Sequence, residues 1–83
     1  MTMPGQQPVV KMMTVDGKLV ESVGYVMASR RLYIKFRGAR TMYFEGVPGF
    51  RYQGFLNAPR KDAYYHTYIK ERFLTKEAPP PPV

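Results

Sequence analysis

The chain has 83 residues, a formal net charge of +7, one histidine and no cysteine. That length gives a single domain with a modest core, since so short a chain buries only about 60% of the surface it exposes when unfolded. The lack of cysteine excludes disulfides, thiolate nucleophiles and cysteine-based zinc sites, and no apolar run approaches a membrane span, so a cytoplasmic protein is expected.

Residues 1–8, Met-Thr-Met-Pro-Gly-Gln-Gln-Pro, lack the charged start and apolar stretch of a signal peptide and read as a disordered lead-in. The single domain is expected over residues 9–75. It opens with an optional strand from Val9 to Val15, and Asp16-Gly17 then reads as a turn. A strand follows from Lys18 to Val26, interrupted by Gly24. Leu32, Ile34 and Phe36 next alternate with Tyr33, Lys35 and Arg37, and Met42 and Phe44 resume the alternation against Thr41, Tyr43 and Glu45. If the even residues of both runs face the core, the hairpin loop holds an odd number of residues, most simply Gly38-Ala39-Arg40. The opposite face then carries Arg31, Tyr33, Lys35, Arg37, Thr41, Tyr43 and Glu45.

Val47-Pro48-Gly49 ends the last strand, and Pro48 suits the first turn of a helix. That helix is expected from Phe50 to Ala58, with Tyr52, Phe55 and Leu56 on its apolar side. Gly54 weakens it by about 1 kcal/mol relative to alanine. Pro59 stops it. Asp62 is a fitting N-cap for a second helix from Ala63 to about Leu74, with Tyr65, Ile69 and Phe73 on one buried face. Residues 76–83, with four consecutive prolines, read as a disordered tail of polyproline II character. The expected fold is α+β: an antiparallel three- to four-stranded meander, then two C-terminal helices packed on one face.

Four segments together resemble the KTSC domain, named for the C-terminus of some lysyl-tRNA synthetases and also found as free-standing small bacterial proteins. They are Ser22-Val23-Gly24-Tyr25, Leu32-x-Ile34-x-Phe36, Gly46-Val47-Pro48, and Lys61-x-x-Tyr64-Tyr65-x-x-x-Ile69-Lys70-x-x-Phe73. The likeness runs from about Val15 to Phe73. It implies a compact α+β module for which RNA binding has been proposed without being established. Three positions depart from the family pattern: Gly17-Lys18 in place of a serine pair, Val26 in place of an aspartate, and Met42-Tyr43-Phe44 in place of Tyr-x-Tyr. If the lost hydroxyls carried a function, this chain lacks it or has moved it. If they filled the core, Met and Phe replace them with little loss of packing.

Charge and aromatics point to the same kind of partner. Arg30, Arg31, Lys35, Arg37, Arg40, Arg51, Arg60 and Lys61 lie in a stretch whose only acid is Glu45, and the rest of the chain is neutral. Clustered cations release counterions on meeting phosphates, so a polyanion is the expected partner. On the hairpin face, Tyr33 and Tyr43 are placed to stack on unpaired bases, with Lys35, Arg37 and Arg40 meeting phosphates. Lys61 and Lys70 offer a second basic edge beside Tyr64. Catalysis has no such support. His66 is the only histidine, and Asp62 is merely one helical turn from it. The carboxylates are scattered, no glycine-rich phosphate loop is present, and neither a metal nor an organic cofactor is implied. The expectation is a small non-catalytic bacterial or phage-type module that binds RNA or single-stranded nucleic acid. The alternative is a protein-interaction module that docks on an acidic surface.

Overall fold

The computed structural model describes residues 10–78; the expected lead-in over residues 1–8 and the proline run of the tail lie outside them. Five antiparallel strands form one sheet in chain order: β1 (Met13–Thr14), β2 (Val20–Val26), β3 (Arg31–Phe36), β4 (Thr41–Glu45) and β5 (Leu74–Glu77). Between β4 and β5 the chain makes α1 (Gly49–Asn57) and α2 (Lys61–Tyr64), and a π-helical segment (Tyr65–Ile69) continues α2. The α+β class, the meander and the helices on one face are as expected. The additional strand comes after the helices, where a tail was expected.

The hairpin obeys side-chain parity. Leu32 stands opposite Phe44 and Ile34 opposite Met42, with Tyr33 opposite Tyr43 on the other face. Lys35 pairs with Thr41, so the register carried one step further leaves Arg37, Gly38 and Ala39 as the odd loop. That is one residue earlier than the sequence suggested. The turn is closed by Ala39 N–H donating to the Phe36 carbonyl at 3.1 Å, with Gly38 at φ +68°. A side chain at that φ is disfavoured, so glycine sits where the chain reverses.

Strand β2 carries a bulge that the sequence pattern hides. Val20 pairs with Phe36 but Ser22 pairs with Lys35, so Glu21 is the extra residue. The bulge flips the alternation, and Val20 and Val23 both face the core with no exposed surface despite their odd spacing. Glu21 is left on the outward side beside Lys35 and Arg37.

The core is one cluster of Val20, Val23, Leu32, Ile34, Phe44, Val47, Phe55 and Ile69. Full burial of each such side chain is worth about 1.5–3 kcal/mol. Tyr65 sets its edge against Phe36 and Phe44, with ring centroids 5.2 and 6.0 Å apart. The Tyr25 hydroxyl donates to the Val47 carbonyl at 2.6 Å and fixes the exit from β4.

Pro48 is the N-cap of α1, one position before the helix. The helix stops at Asn57, ahead of Pro59, and Lys61 Nζ donates to the carbonyls of Leu56, at 2.9 Å, and Ala58. A cation there satisfies the free carbonyls of the last turn and complements the helix dipole. Gly54 lets the two helices meet: a Cβ at that position would lie 3.1 Å from Cζ of Tyr64, whose hydroxyl donates to the Arg51 carbonyl at 3.0 Å.

Two expectations about the second helix need correction. Asp62 is not its N-cap; that position is Arg60, without a side-chain cap. Asp62 instead accepts backbone N–H bonds from Lys18 (2.9 Å), Leu19 (3.0 Å) and Val20 (3.1 Å), more than forty residues away. The helical run also ends at Ile69 rather than near Leu74. Glu71 then takes φ +61°, which no right-handed helix accommodates, and the chain turns into β5. Lys76 and Glu77, placed in the disordered tail by the sequence, belong to that strand and pair with Tyr43 and Met42.

Candidate nucleic-acid interface

The outward sheet face brings together the residues the alternation predicted, but in a different electrostatic state. Glu21 lies 3.5 Å from Lys35 and 4.0 Å from Arg37. Glu45 lies 3.3 Å from Arg31 and 3.8 Å from Lys76. Arg40 pairs with Glu77 of β5, which raises its already high pKa further. Five cations are thus shared among three carboxylates, and this network retains only +2 of the net charge.

Individual side chains are further committed. Lys35 Nζ also donates to the carbonyls of Phe36 (3.3 Å) and Ala39 (3.2 Å), and Arg37 Nε donates to the Gly17 carbonyl at 2.7 Å. Tyr43 is half-buried, with the Arg31 guanidinium 4.7 Å from its ring centroid and Tyr33 at 5.5 Å. Tyr33 is only 8% exposed, too little ring for a base to stack on. Its strand partner is Gly24, and atoms of Val10, Lys11 and Met12 occupy the space a Gly24 Cβ would fill. The N-terminal segment therefore crosses this face at the point where Tyr33 was expected to be open. Arg40 has the inward parity of Phe36 and Met42 and lies at the sheet margin. Lys61 caps α1, and Lys70, exposed at the end of the π-helical segment, is apart from the sheet residues.

A second cluster, absent from the sequence reading, forms where α1 meets the π-helical segment. Phe50 is 68% exposed at the start of α1. The Arg51 guanidinium is held between two rings, 5.3 Å from the Phe50 centroid and 4.7 Å from that of Tyr68. Tyr68 packs on Tyr64 at 4.7 Å. Arg51, Thr67, Tyr68, Arg72 and Phe73 line a cleft of about 330 Å³. Among the described residues neither Arg51 nor Arg72 has a carboxylate partner. Outside the sheet network, the helical layer and its loops carry Arg51, Arg60, Lys61, Lys70 and Arg72 against Asp62 and Glu71, a balance of +3. One signal in the sequence marked the cluster: Phe50-Arg51 precedes and lies off the Tyr52/Phe55/Leu56 stripe, so an aromatic and a cation share the solvent side of α1.

His66 is exposed and lies against the Tyr65 ring at 5.3 Å. Burial pushes the Tyr65 phenol up, and the charge of Glu71 adds to this. Burial also pushes the Asp62 carboxyl up, but the backbone donors of Leu19, Val20 and Lys18, with His66 nearby, outweigh it and hold the group below the ordinary carboxylate range. No helix is long and apolar enough to cross a membrane among the described residues.

A five-stranded antiparallel meander with a short helical layer on one face defines a small α+β sheet-and-helix module. The sequence profile of the KTSC domain matches residues 17–73, and the chain belongs to that family. The fold resembles the crystal structure of a KTSC domain protein from Yersinia pestis, with a TM-score of 0.82 and 30% identity over 86% of this chain and 100% of that one. No curated protein sequence matches the chain. Two of its departures from the family pattern have structural roles. Phe44 is a core residue, 2% exposed. Gly17 makes room for the Asp62 carboxylate, whose Oδ1 would lie 2.7 Å from a Cβ at that position.

Proposed function

We propose that this KTSC domain is a non-catalytic module that binds single-stranded nucleic acid, RNA above all, and that the principal contact is the α1/π-helix cluster rather than the sheet face. The observation that carries this reading is the Arg51 guanidinium over the rings of Phe50 and Tyr68, without a carboxylate partner among the described residues, with Arg72 beside the same cleft. Exposed aromatic faces beside unpaired cations suit unstacked bases and phosphates, and stacking contributes about 1–3 kcal/mol per base. The sheet-side cations Lys35, Arg37 and Arg40, and Lys70, supply long-range attraction around this centre. Lys61 stabilises α1 and contributes charge only.

The test is binding of fluorescent single-stranded RNA, single-stranded DNA and duplex DNA across a salt series. Arg51→Glu/Arg72→Glu is compared with Lys35→Glu/Arg37→Glu, both checked for fold by circular dichroism. Wild-type binding should weaken log-linearly with salt, and losing two phosphate contacts should flatten the slope by about 1.4. The helix-side pair should lose more affinity than the sheet-side pair. Absence of wild-type binding at low salt would overturn the reading. Retained affinity for an acidic protein at high salt would then favour a docking module with an apolar centre.

A further inference from the structure

We infer that the cleft between α1 and the π-helical segment receives one nucleotide end-on and recognises its terminal phosphate monoester. This inference rests on the nucleic-acid reading above and narrows it to strand ends.

Cleft size sets the first constraint. About 330 Å³ is at the small end of ligand pockets. It has room for a single mononucleotide but not for a run of stacked bases. The lining chemistry sets the second. Arg51 and Arg72 are two guanidiniums, Thr67 adds a hydroxyl, and Tyr68 and Phe73 add flat apolar surface. A terminal phosphate monoester carries close to two negative charges at neutral pH, whereas an internal diester carries one. Two arginines without an ion pair among the described residues match the monoester, and the guanidinium fork is the side chain best suited to phosphate oxygens. Phe73, with the part of Tyr68 that Arg51 and Tyr64 leave uncovered, remains for the base.

Rigidity supplies the third constraint. Arg51 is clamped by Phe50 and Tyr68, and its carbonyl accepts the Tyr64 hydroxyl, so both walls of the cleft are tied together. A free arginine loses side-chain entropy on binding, and a clamped one has already lost it.

Backbone geometry agrees. Two irregularities frame the cleft within seven residues. The π-helical segment, closed by Lys70 N–H to the Tyr65 carbonyl at 2.8 Å, carries Thr67 and Tyr68. Glu71, at φ +61°, reverses the chain and returns Arg72 and Phe73 to the same cleft. A left-handed glutamate costs about 1 kcal/mol, and π-turns are rare and concentrate at functional sites. Folding retains both where they converge on one set of ligand-ready side chains.

The experiment compares one RNA decamer in three forms: 5′-phosphorylated, 3′-phosphorylated and hydroxyl-ended. Free mononucleotide and inorganic phosphate serve as competitors. Anisotropy gives affinity, and amide chemical shifts of Thr67, Tyr68 and Arg72 report occupancy. A decamer with a terminal phosphate should bind at least tenfold tighter than its hydroxyl-ended form. Mononucleotide should displace that advantage at lower concentration than inorganic phosphate. Thr67→Val and Arg72→Gln should each drive the affinity ratio toward one. Equal, salt-dependent binding of all three decamers would overturn end recognition and leave the proposed function standing. Binding of mononucleotide with no binding of any strand would overturn the proposed function instead and leave the cleft as a nucleotide site.

Discussion

Removing the Asp62 carboxylate should cost this domain a large share of its stability, although the residue lies at the surface. The carboxylate ties the start of the helical run to the entry of β2 through three backbone N–H donors at 2.9, 3.0 and 3.1 Å. Hydrogen bonds to a charged group are worth roughly 1.5–3 kcal/mol each when the donor is left without a partner. Lys18 and Leu19 are exposed and their N–H groups can turn to water, so their loss costs much less. Val20 has no exposed surface, and its N–H would be stranded. The combined effect for Asp62→Ala is about 2 kcal/mol, and about 1 kcal/mol for Asp62→Asn, which keeps an acceptor oxygen but no charge. For a domain of this size that is a fall in Tm of roughly 8–16 °C for alanine. Thermal unfolding followed by circular dichroism measures it, with Asp16→Ala as a surface control expected within about 0.5 kcal/mol of wild type. The pH dependence has a definite sign. The folded protein holds this carboxyl below its ordinary value, so its contribution is complete above about pH 4 and is lost as pH falls through the lower, folded-state pKa. The gap between wild type and Asp62→Asn should therefore be constant from pH 7 to 5 and close below pH 4. An Asp62→Ala protein as stable as the Asp16→Ala control would refute the reasoning.

Helix propensity and packing give opposite signs at Gly54: alanine should lower stability by about 1–3 kcal/mol in chemical denaturation, because its Cβ meets the Tyr64 ring. Glu71→Gly should raise stability by about 0.5–1 kcal/mol, since it relieves a left-handed φ of 61° at a modest entropic cost, and Glu71→Val should lower it. Glu21→Gln should free Lys35 and Arg37, raising affinity for single-stranded RNA at low salt and steepening the salt dependence by about 1; an unchanged slope would show that these cations stay out of reach of phosphate.

Much of the fold was legible because it rests on local rules. Strict alternation over Leu32–Phe36 and Met42–Phe44 defined the hairpin and its parity, and Pro48 and Pro59 bracketed α1. Strand β5 escaped because all four of its residues are exposed and its sequence, Leu-Thr-Lys-Glu, shows no apolar alternation. Backbone pairing to β4 holds it, and backbone pairing leaves no mark in side-chain pattern. The Glu21 bulge escaped for a related reason: one inserted residue makes the valines at 20 and 23 read out of phase, although both are core. Asp62 has the right type and position for an N-cap. The choice between capping its own helix and capping a loop from the other end of the chain depends on tertiary contacts alone.

The candidate site diverged further, and the reason lies in how charge projects from sequence into space. Along the chain, Arg31, Lys35, Arg37 and Arg40 form a dense basic run, and their acids, Glu21, Glu45 and Glu77, are spread over nearly sixty residues. The meander places β2 and β5 on either side of the central hairpin, so those distant acids fall beside the run and offset much of it. Arg51 and Arg72 lie twenty-one residues apart in sequence, Arg51 between Phe50 and Tyr52 and Arg72 before Phe73. The helical layer brings them to one cleft, and among the described residues neither forms an ion pair, although Glu71 stands next to Arg72 in the chain. Exposed ion pairs are weak, about 0–1 kcal/mol, so a polyanion can still compete for the sheet cations, but it must displace a carboxylate at each one. At Arg51 it displaces no carboxylate among the described residues, and the guanidinium already lies over the rings of Phe50 and Tyr68. For equal numbers of cations, the helix-side cleft should therefore bind an anion at lower cost under the proposed function, and contact there should precede contact with the sheet.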